Sequence, residues 1–527
     1  MTKYKIISLI DNNRRVIVLL FFAVYLLIGI KVFTDYGVSW DEKFQRTLGK
    51  ETYSYIVKGN KELLKNRDRH YGSIFEVTLI ATEKILHLQD SRDICFARHL
   101  ANFLIFYLGV FFFYRLCKYH FGDWKAGLLG ALFLVLSPRL FAHSFYNPKD
   151  IPFLAMFIIS IYTLLRYLDK RTLGRIFFHA LACALLIDLR VIGVIVPFFT
   201  VIFVFSESIG KILLPPDKKQ ANVFLSFALY AGLLVLLTIL FWPILWQNPL
   251  SNFMASLKLM TKFPVAGKIL YLGNYIEINH PPWHYTPVWI AVSTPLVYLV
   301  LFLIGLAAVI KNMIFSFREF YRRHRDYLIF LLWLFFPMTT AIIYRPTLYN
   351  SWRHMFFIYP AVLLFALKGV TALREFIKIR FTGGTKCTFD IAIAALITIN
   401  LAETAWFMAV AHPYQDIYFN ALAGKPQNIK NNFEVDYWGL SYRQGLEYIM
   451  QTDKRNIIKI CAANYGGKWN YPILLPEDRQ RIRFVDKIDE ADYFISNYSL
   501  REKDYPLKNE YYSLTVNGLK IMSVYRL

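Results

Sequence analysis

Residues 16–34, VIVLLFFAVYLLIGIKVFT, form an apolar run in which Lys31 is the one charge, and they lead straight into DYGVSWDEKFQ (35–45). A helix of about 20 apolar residues crosses the ~30 Å hydrocarbon layer of a bilayer. The run is therefore expected to span. With no small-residue cleavage site behind it, it is also expected to stay. What comes next is unusual. Two adjacent carboxylates, Asp41 and Glu42, stand a few residues beyond the hydrocarbon, behind Gly37 and Trp40.

Runs of the same kind recur at 99–117, 125–141, 151–168, 173–189, 191–206, 222–243, 286–310, 327–344, 354–373 and 389–411. The chain is 56% hydrophobic and 17% aromatic, more apolar than soluble domains. It reads as a polytopic α-helical membrane protein of about eleven spans. Its formal charge of +23 does not point to nucleic acid. The basic residues fall between the apolar runs, as the positive-inside rule requires. With "TKYK" and "NNRR" in the cytoplasm, "RLCKYHFGDWK" (115–125), "RYLDKRTLGR" (166–175), "DKKQ" (217–220), "KNMIFSFREFYRRHRDY" (311–327) and "REFIKIRFTGGTK" (374–386) all fall inside. The opposite connections carry few Lys or Arg. An odd number of spans then leaves the C-terminal end outside the cytoplasm.

The expected organisation is a membrane domain, 1–412, and an extracytoplasmic α/β domain, 413–527. The first outer loop, 35–98, carries the acidic pair. It reads as two helices, one polar (51–66) and one amphipathic (72–90) lying along the interface. A second outer loop, 244–285, is rich in Pro, Asn, Trp and Tyr and suits the aromatic belt. Past His412 the pattern changes. "YRQGLEYIM" reads as a helix, and "IIKICAA", "RIRFV", "DYFISNY" and "YYSLTVNGLKIMSVYRL" as strands, with Asn517-Gly518 as a hairpin turn. Only Cys95 and Cys461 of the five cysteines fall on the outer side, and the spacing gives no disulfide framework.

Polar residues gather at the outer ends of the spans. Asp41 and Glu42 follow the first. "HSFYNPKD" (143–150) supplies Asn147, Lys149 and Asp150. Asp188 and Arg190 sit at a turn, "HPPWHYTP" (280–287) holds Trp283 and Tyr285, and "YRPTLYNSWRH" (344–354) holds Arg353 and His354. A lipid-linked phosphate needs cations at this depth, where its tail stays in hydrocarbon and its head at the interface. Attack on an attached sugar needs a carboxylate to take the acceptor's proton and an anion beside the oxocarbenium-like carbon. The departing phosphate needs cations or a metal. Asp41 or Glu42 suits the base, and Lys149, Arg190 and Arg353 suit the phosphate. Alternatively Asp41, Asp150 and His280 hold a divalent ion such as Mg or Mn.

These motifs resemble the GT-C membrane glycosyltransferases, especially the protein O-mannosyltransferase and aminoarabinose transferase branch. The resemblance rests on "SWDE" after the first span, "NPKD" between the third and fourth, "HPPWHYTPVW" entering a later span, and the outer tail. "RHMFFIYP" and "HPYQDIYFN…FEVDYWGLSYR" are similar to a bacterial subgroup. It implies an inverting transfer from a polyprenyl-phosphate sugar to an extracytoplasmic acceptor, at a bacterial inner membrane, with Asp41 as base, Glu42 beside it and Asp150 in donor or acceptor binding. Asn147, Lys149, Arg190, Arg353, His354, Trp283 and Tyr285 are the expected donor-binding set.

Plainer roles exist for each residue. Asp41-Glu42 could be a solvated pair at a helix end, Pro148 and Asp150 a helix start, Asp188-Arg190 a structural pair, and His280 a belt anchor. A transporter or flippase for a lipid-linked or anionic solute is the rival function. It would place charges near the midplane and show repeated halves. Here the charges sit at helix ends and no repeat is visible.

Overall fold

The computed structural model describes residues 11–212, 218–261, 265–499 and 504–527. "TKYK" and Asp217 of "DKKQ" lie outside these. The membrane half runs α1 (Arg14–Val32), α2 (Trp40–Lys58), α3 (Ile74–Ile85), α4 (Ser91–Phe121), α5 (Trp124–Val135), α6 (Pro138–Tyr146), α7 (Asp150–Asp169), α8 (Leu173–Leu189), α9 (Ile195–Ile212), α10 (Lys218–Phe241) and α11 (Pro249–Thr261). A hairpin follows, β1 (Lys268–Tyr271) and β2 (Asn274–Glu277). Then come α12 (Tyr285–Ser293), α13 (Leu296–Phe315), α14 (Phe317–Tyr344), α15 (Tyr359–Arg380) and α16 (Gly383–Val410).

Among the described residues eight helices are long and apolar enough to cross a membrane, or nine with α5 and α6 taken as one span. Two expected spans are broken. The run at 125–141 divides into α5 and α6, which meet at 68°. Pro138 opens α6; it has no N–H to continue α5 but suits a first helical turn. The run at 286–310 divides into α12 and α13 at Thr294-Pro295. The runs at 173–189 and 191–206 are helical but short.

Helices α1, α10, α13 and α16 leave much apolar surface open, for example Leu19, Leu27, Leu236, Leu303 and Ile399. In a membrane such faces meet lipid. By contrast α7 is 89% buried across its apolar window. It is the central post, packed by α4, α8 and the turn that precedes α15. Without a hydrophobic drive between helices in lipid, close approach depends on small residues. A Cβ on Gly305 of α13 would lie 1.9 Å from the Phe365 carbonyl of α15, and one on Gly369 2.0 Å from that of Leu301.

"SWDE" starts α2. Ser39 is the N-cap and Glu42 the third helical residue, and each side chain bonds the other's backbone as a capping box. Gly59, at φ 67°, ends the helix. The amphipathic helix of the first loop is α3. Its buried acids do not face the interface. Glu76 and Glu83 pair with Arg98 of α4 at 2.5 and 3.2 Å, and Glu83 also with Arg46 of α2 at 2.8 Å.

The C-terminal sheet has the order β4 (Ile482–Val485), β3 (Ile458–Ala462), β5 (Tyr493–Ser496), β7 (Leu519–Arg526), β6 (Glu510–Val516). Its first three strands are parallel, and β5, β7 and β6 antiparallel. Asn517 and Gly518, both at positive φ, make the hairpin turn that this dipeptide favours. A helix, Tyr442–Thr452, covers the sheet. All five cysteines are free. The tail does not separate from the membrane half at 412/413 in its packing. Tyr414, Ile417, Phe433, Tyr437 and Trp438 join the membrane-half core, and the sheet's own core begins at Tyr442.

Gly369→Val is expected to force α13 and α15 apart and to cost at least about 1–3 kcal/mol. Thermal unfolding in detergent, compared with an exposed control such as Gly384→Val, measures it.

Candidate functional site

Four separate chain segments deliver charge to one point. α2 presents Asp41 from its first turn, and α7 presents Asp150 as its first residue. Carboxylates at helix N-termini are favoured by the unpaired N–H groups there. Arg190 follows α8, and Arg353 opens the 3-10 turn Arg353–Ile358. That turn is reached through Asn350 and Ser351, both left-handed at φ 57° and 63°, an uncommon conformation for non-glycine residues. It is braced by Tyr285, whose Oη donates to the Ser351 carbonyl at 3.1 Å.

One guanidinium nitrogen joins both acids. Arg353 Nη1 donates to Asp41 Oδ2 at 3.1 Å and to Asp150 Oδ2 at 2.8 Å. Arg190 donates to Asp150 Oδ1. Asn147 Nδ2 donates to Asp150 Oδ2 at 2.9 Å, and Asn147 Oδ1 accepts the Asp150 backbone N–H at 2.9 Å. Asp150 is thus fully enclosed between two cations, as a buried carboxylate must be. The Asp41 side chain keeps 19% of its surface open, against 1% for Asp150. Of the two acids, Asp41 is the one a substrate can reach.

Beside this group lies a cavity of about 280 Å³. Lys149, Arg190, His354, Tyr71 and Tyr349 give it a polar wall, and residues such as Ile195, Leu257, Phe336 and Ala341 an apolar one. Lys149 Nζ sits 3.7 Å from the centre of the Tyr71 ring. Burial lowers its pKa, against the charge of Asp41. His354 Nδ1 is buried without a hydrogen-bond partner, and its ring lies 4.8 Å from that of Tyr349. The cavity therefore combines unmatched donors with a hydrocarbon wall.

The structure brings together Asp41, Asn147, Lys149, Asp150, Arg190, Arg353 and His354 from the expected set. It reassigns others. Glu42 is buried, caps α2 and accepts a contact from His99 Nε2 at 3.1 Å, so it is committed to structure. Arg353 is 1% exposed and stands behind the cavity rather than lining it. Trp283 is exposed and does not line the cavity, and Tyr285 is buried as a brace. The Asp41–Asp150–His280 trio does not form. His280 is exposed after the β-hairpin, Arg353 occupies the space between the two carboxylates, and among the described residues no trio of His, Cys, Asp or Glu is placed to hold a metal ion. Asp188 does not pair with Arg190. It accepts the Ile74 N–H at 2.9 Å, capping α3.

Tyr71, Tyr349 and Trp438 were not expected. Tyr349 and Trp438 face the Arg353 guanidinium, 4.9 and 4.7 Å from their ring centres. Tyr349 lies inside the quoted "YRPTLYNSWRH", where an aromatic four residues before an arginine is the visible signal. Tyr71 and Trp438 come from distant segments, and spacing gives no signal for them.

Compared with known proteins, residues 92–246 match the dolichyl-phosphate-mannose-protein mannosyltransferase family. No curated protein matches the chain. The solved structure of ArnT from Cupriavidus metallidurans bound to undecaprenyl phosphate is similar in fold, with 12% identity and a TM-score of 0.51, over 96% of this chain and 97% of that one. The oligosaccharyltransferase AglB from Archaeoglobus fulgidus, in complex with an inhibitory peptide and a dolichol-phosphate, has 11% identity and a TM-score of 0.50, over 90% of this chain and 69% of that one. The chain is an integral membrane protein that shares the fold of these two structures.

Asp150→Asn is expected to leave the buried Arg190 without an acid and Arg353 with Asp41 alone, and to cost about 3–5 kcal/mol, read as a lower thermal midpoint than that of Asp41→Asn. A second acid gives a pH signature. Asp416 is 1% exposed, and burial, with Asp436 nearby, pushes its carboxyl up to about 7. The folded state holds this proton more tightly than the unfolded chain, so its contribution is full below about pH 4 and is lost as pH rises through 7. The thermal midpoint is expected to fall between pH 5 and pH 8 less steeply in Asp416→Asn than in the wild type.

Proposed function

We propose that this chain transfers a sugar from a polyprenyl-phosphate donor to an acceptor hydroxyl or amine outside the cytoplasm, with inversion at the anomeric carbon. The observation that carries the reading is the reachable carboxylate of Asp41, set beside a cavity with a cationic and an apolar wall. The GT-C fold and the mannosyltransferase match support it, as do the lipid phosphates bound by the similar structures. Nothing in the comparisons supports a transporter.

In this reading Lys149, Arg190 and His354 hold the donor phosphate, and the apolar wall receives the first isoprene units. Three cations, Lys149, Arg190 and Arg353, face two carboxylates, Asp41 and Asp150. The excess positive charge suits one phosphate diester. Asp41 takes the proton of the acceptor as its heteroatom attacks the anomeric carbon. The bond from that carbon to the phosphate oxygen breaks, and the polyprenyl phosphate leaves with the electron pair. Arg190 and Lys149 then hold the second phosphate charge that develops. Asp150 touches no substrate. It fixes Arg190 and Arg353. The carboxylates present do not fit a metal, so no step is routed through one.

The setting we infer is a bacterial inner membrane, with the N-terminus inside and the sheet domain outside. The sugar-bearing head would then sit at the outer interface. Residues 1–441 would form the catalytic membrane half and 442–527 the outer sheet domain.

The test is turnover of radiolabelled polyprenyl-phosphate sugars by the protein in lipid, read as release of free polyprenyl phosphate. The wild type is expected to release it, and Asp41→Asn to do so about 10²–10⁴-fold more slowly, with a thermal midpoint lowered less than that of Asp150→Asn. Wild-type turnover in Asp41→Asn would remove Asp41 from the base role.

A further inference from the structure

The tail segment 433–441 packs into the membrane-half core, and it does so directly behind the acids. Trp438 is fully buried, and its ring centre lies 4.7 Å from the Arg353 guanidinium, as that of Tyr349 does at 4.9 Å. Two aromatic rings thus pack against the guanidinium, and such contacts restrict its orientation. Next to it, Tyr437 Oη lies 3.1 Å from His143 Nε2, and Trp438 Nε1 3.3 Å from the same nitrogen. His143 Nδ1 is 3.0 Å from Asn147 Nδ2. Asn147 Oδ1 is committed to the backbone N–H groups of Lys149 and Asp150, so its amide nitrogen donates to both His143 and Asp150. Tyr437 is thus linked through two side chains to the carboxylate that anchors both arginines.

The same segment also grips the approach to Asp41. The Asp436 carboxylate accepts from the Leu440 N–H at 3.0 Å and the Ser441 N–H at 3.1 Å, which shapes the loop. Asn470, from the sheet domain, accepts the Val38 N–H at 2.8 Å and donates to the Gly439 carbonyl at 2.8 Å. A Cβ on Gly37 would meet the Leu440 carbonyl at 2.5 Å, so backbone runs against backbone here. Arg443 donates to the Tyr36 carbonyl at 2.8 Å. Residues 36–38 are clasped from the tail side just before α2 begins.

We propose that the C-terminal tail completes the catalytic centre: Trp438 and Tyr437 are positioning residues that set the plane of Arg353, and through it Asp41, for the transfer reaction. The proposal rests on the function inferred above for its kinetic consequence, but not for its structural one. None of these tail side chains lines the cavity, so they act on the chemical step rather than on donor binding.

Three variants separate the possibilities: Trp438→Leu, which removes the flat face; Trp438→Phe, which restores one; and Tyr437→Phe, which deletes one oxygen. Donor turnover is measured beside amide hydrogen exchange of residues 349–356. In Trp438→Leu, kcat is expected to fall at least tenfold with donor KM within threefold, and exchange at 349–356 to rise. Trp438→Phe is expected to stay within threefold of wild-type kcat. Tyr437→Phe is expected to lose threefold to tenfold in kcat with no change in thermal midpoint, which keeps the proposal testable if Trp438→Leu does not fold. Wild-type kcat in both Trp438→Leu and Tyr437→Phe would overturn the proposal, as would a loss in Trp438→Leu that Trp438→Phe does not recover. If the wild type releases no polyprenyl phosphate from any donor, the functional reading fails on its own. Exchange at 349–356 then decides the positioning claim: raised in the Leu and not the Phe variant upholds it, and equal exchange in all overturns it.

Discussion

One guanidinium nitrogen shared between two carboxylates organises this molecule. Arg353 Nη1 reaches Asp41 and Asp150 at once, and so ties the first extramembrane helix to the central buried one. A buried charge is tolerated only when its partners are in place. The surroundings of Arg353 meet that condition: two acids pair with it, two aromatic rings pack against it, and Arg190 lies beyond Asp150 as counterweight. The break at Pro138 and the left-handed pair at Asn350–Ser351 can both be understood from this need. The first turns His143 inward, and the second turns Arg353 inward.

The two acids of "SWDE" have separate duties, although they are neighbours. A helix turns about 100° per residue, so Asp41 and Glu42 point in different directions from α2. Glu42 points back to Ser39 and His99 and holds the helix end. Asp41 points to Arg353. The tetrapeptide is a folding signal, and under the proposed function it also presents the base. Rigid presentation of this kind would suit a base that meets a substrate arriving from the membrane plane.

The class of fold was legible in the sequence because its signals are local. Apolar runs, basic inner loops, the capping serine and the Asn517-Gly518 turn each act within a few residues. The breaks in two spans were less visible, since Pro138 and Pro295 sit inside runs whose hydropathy alone favours a straight helix. Among the candidate residues, Asp41, Asn147, Lys149, Asp150, Arg190, Arg353 and His354 lie together in the structure, and each drew notice in the sequence because it stands near a span end. Their division into roles was not legible there, because whether a cation lines a cavity or stands behind it depends on packing across the whole chain. Trp283 and His280 had the right composition and depth but face elsewhere. Trp438 was out of reach, since its contact with Arg353 spans sequence that no pattern connects.

The contact between Val38 and Asn470 joins residues 432 positions apart. Closing so long a loop costs entropy that is recovered only once both ends have been made and the helices between them have packed. Synthesis runs from the N-terminus, so Asp41 emerges well before Asn470 and Trp438. A partly made protein already lodged in the bilayer would hold Asp41 at the start of α2 before the ring of Trp438 and the amide of Asn470 exist to fix its surroundings.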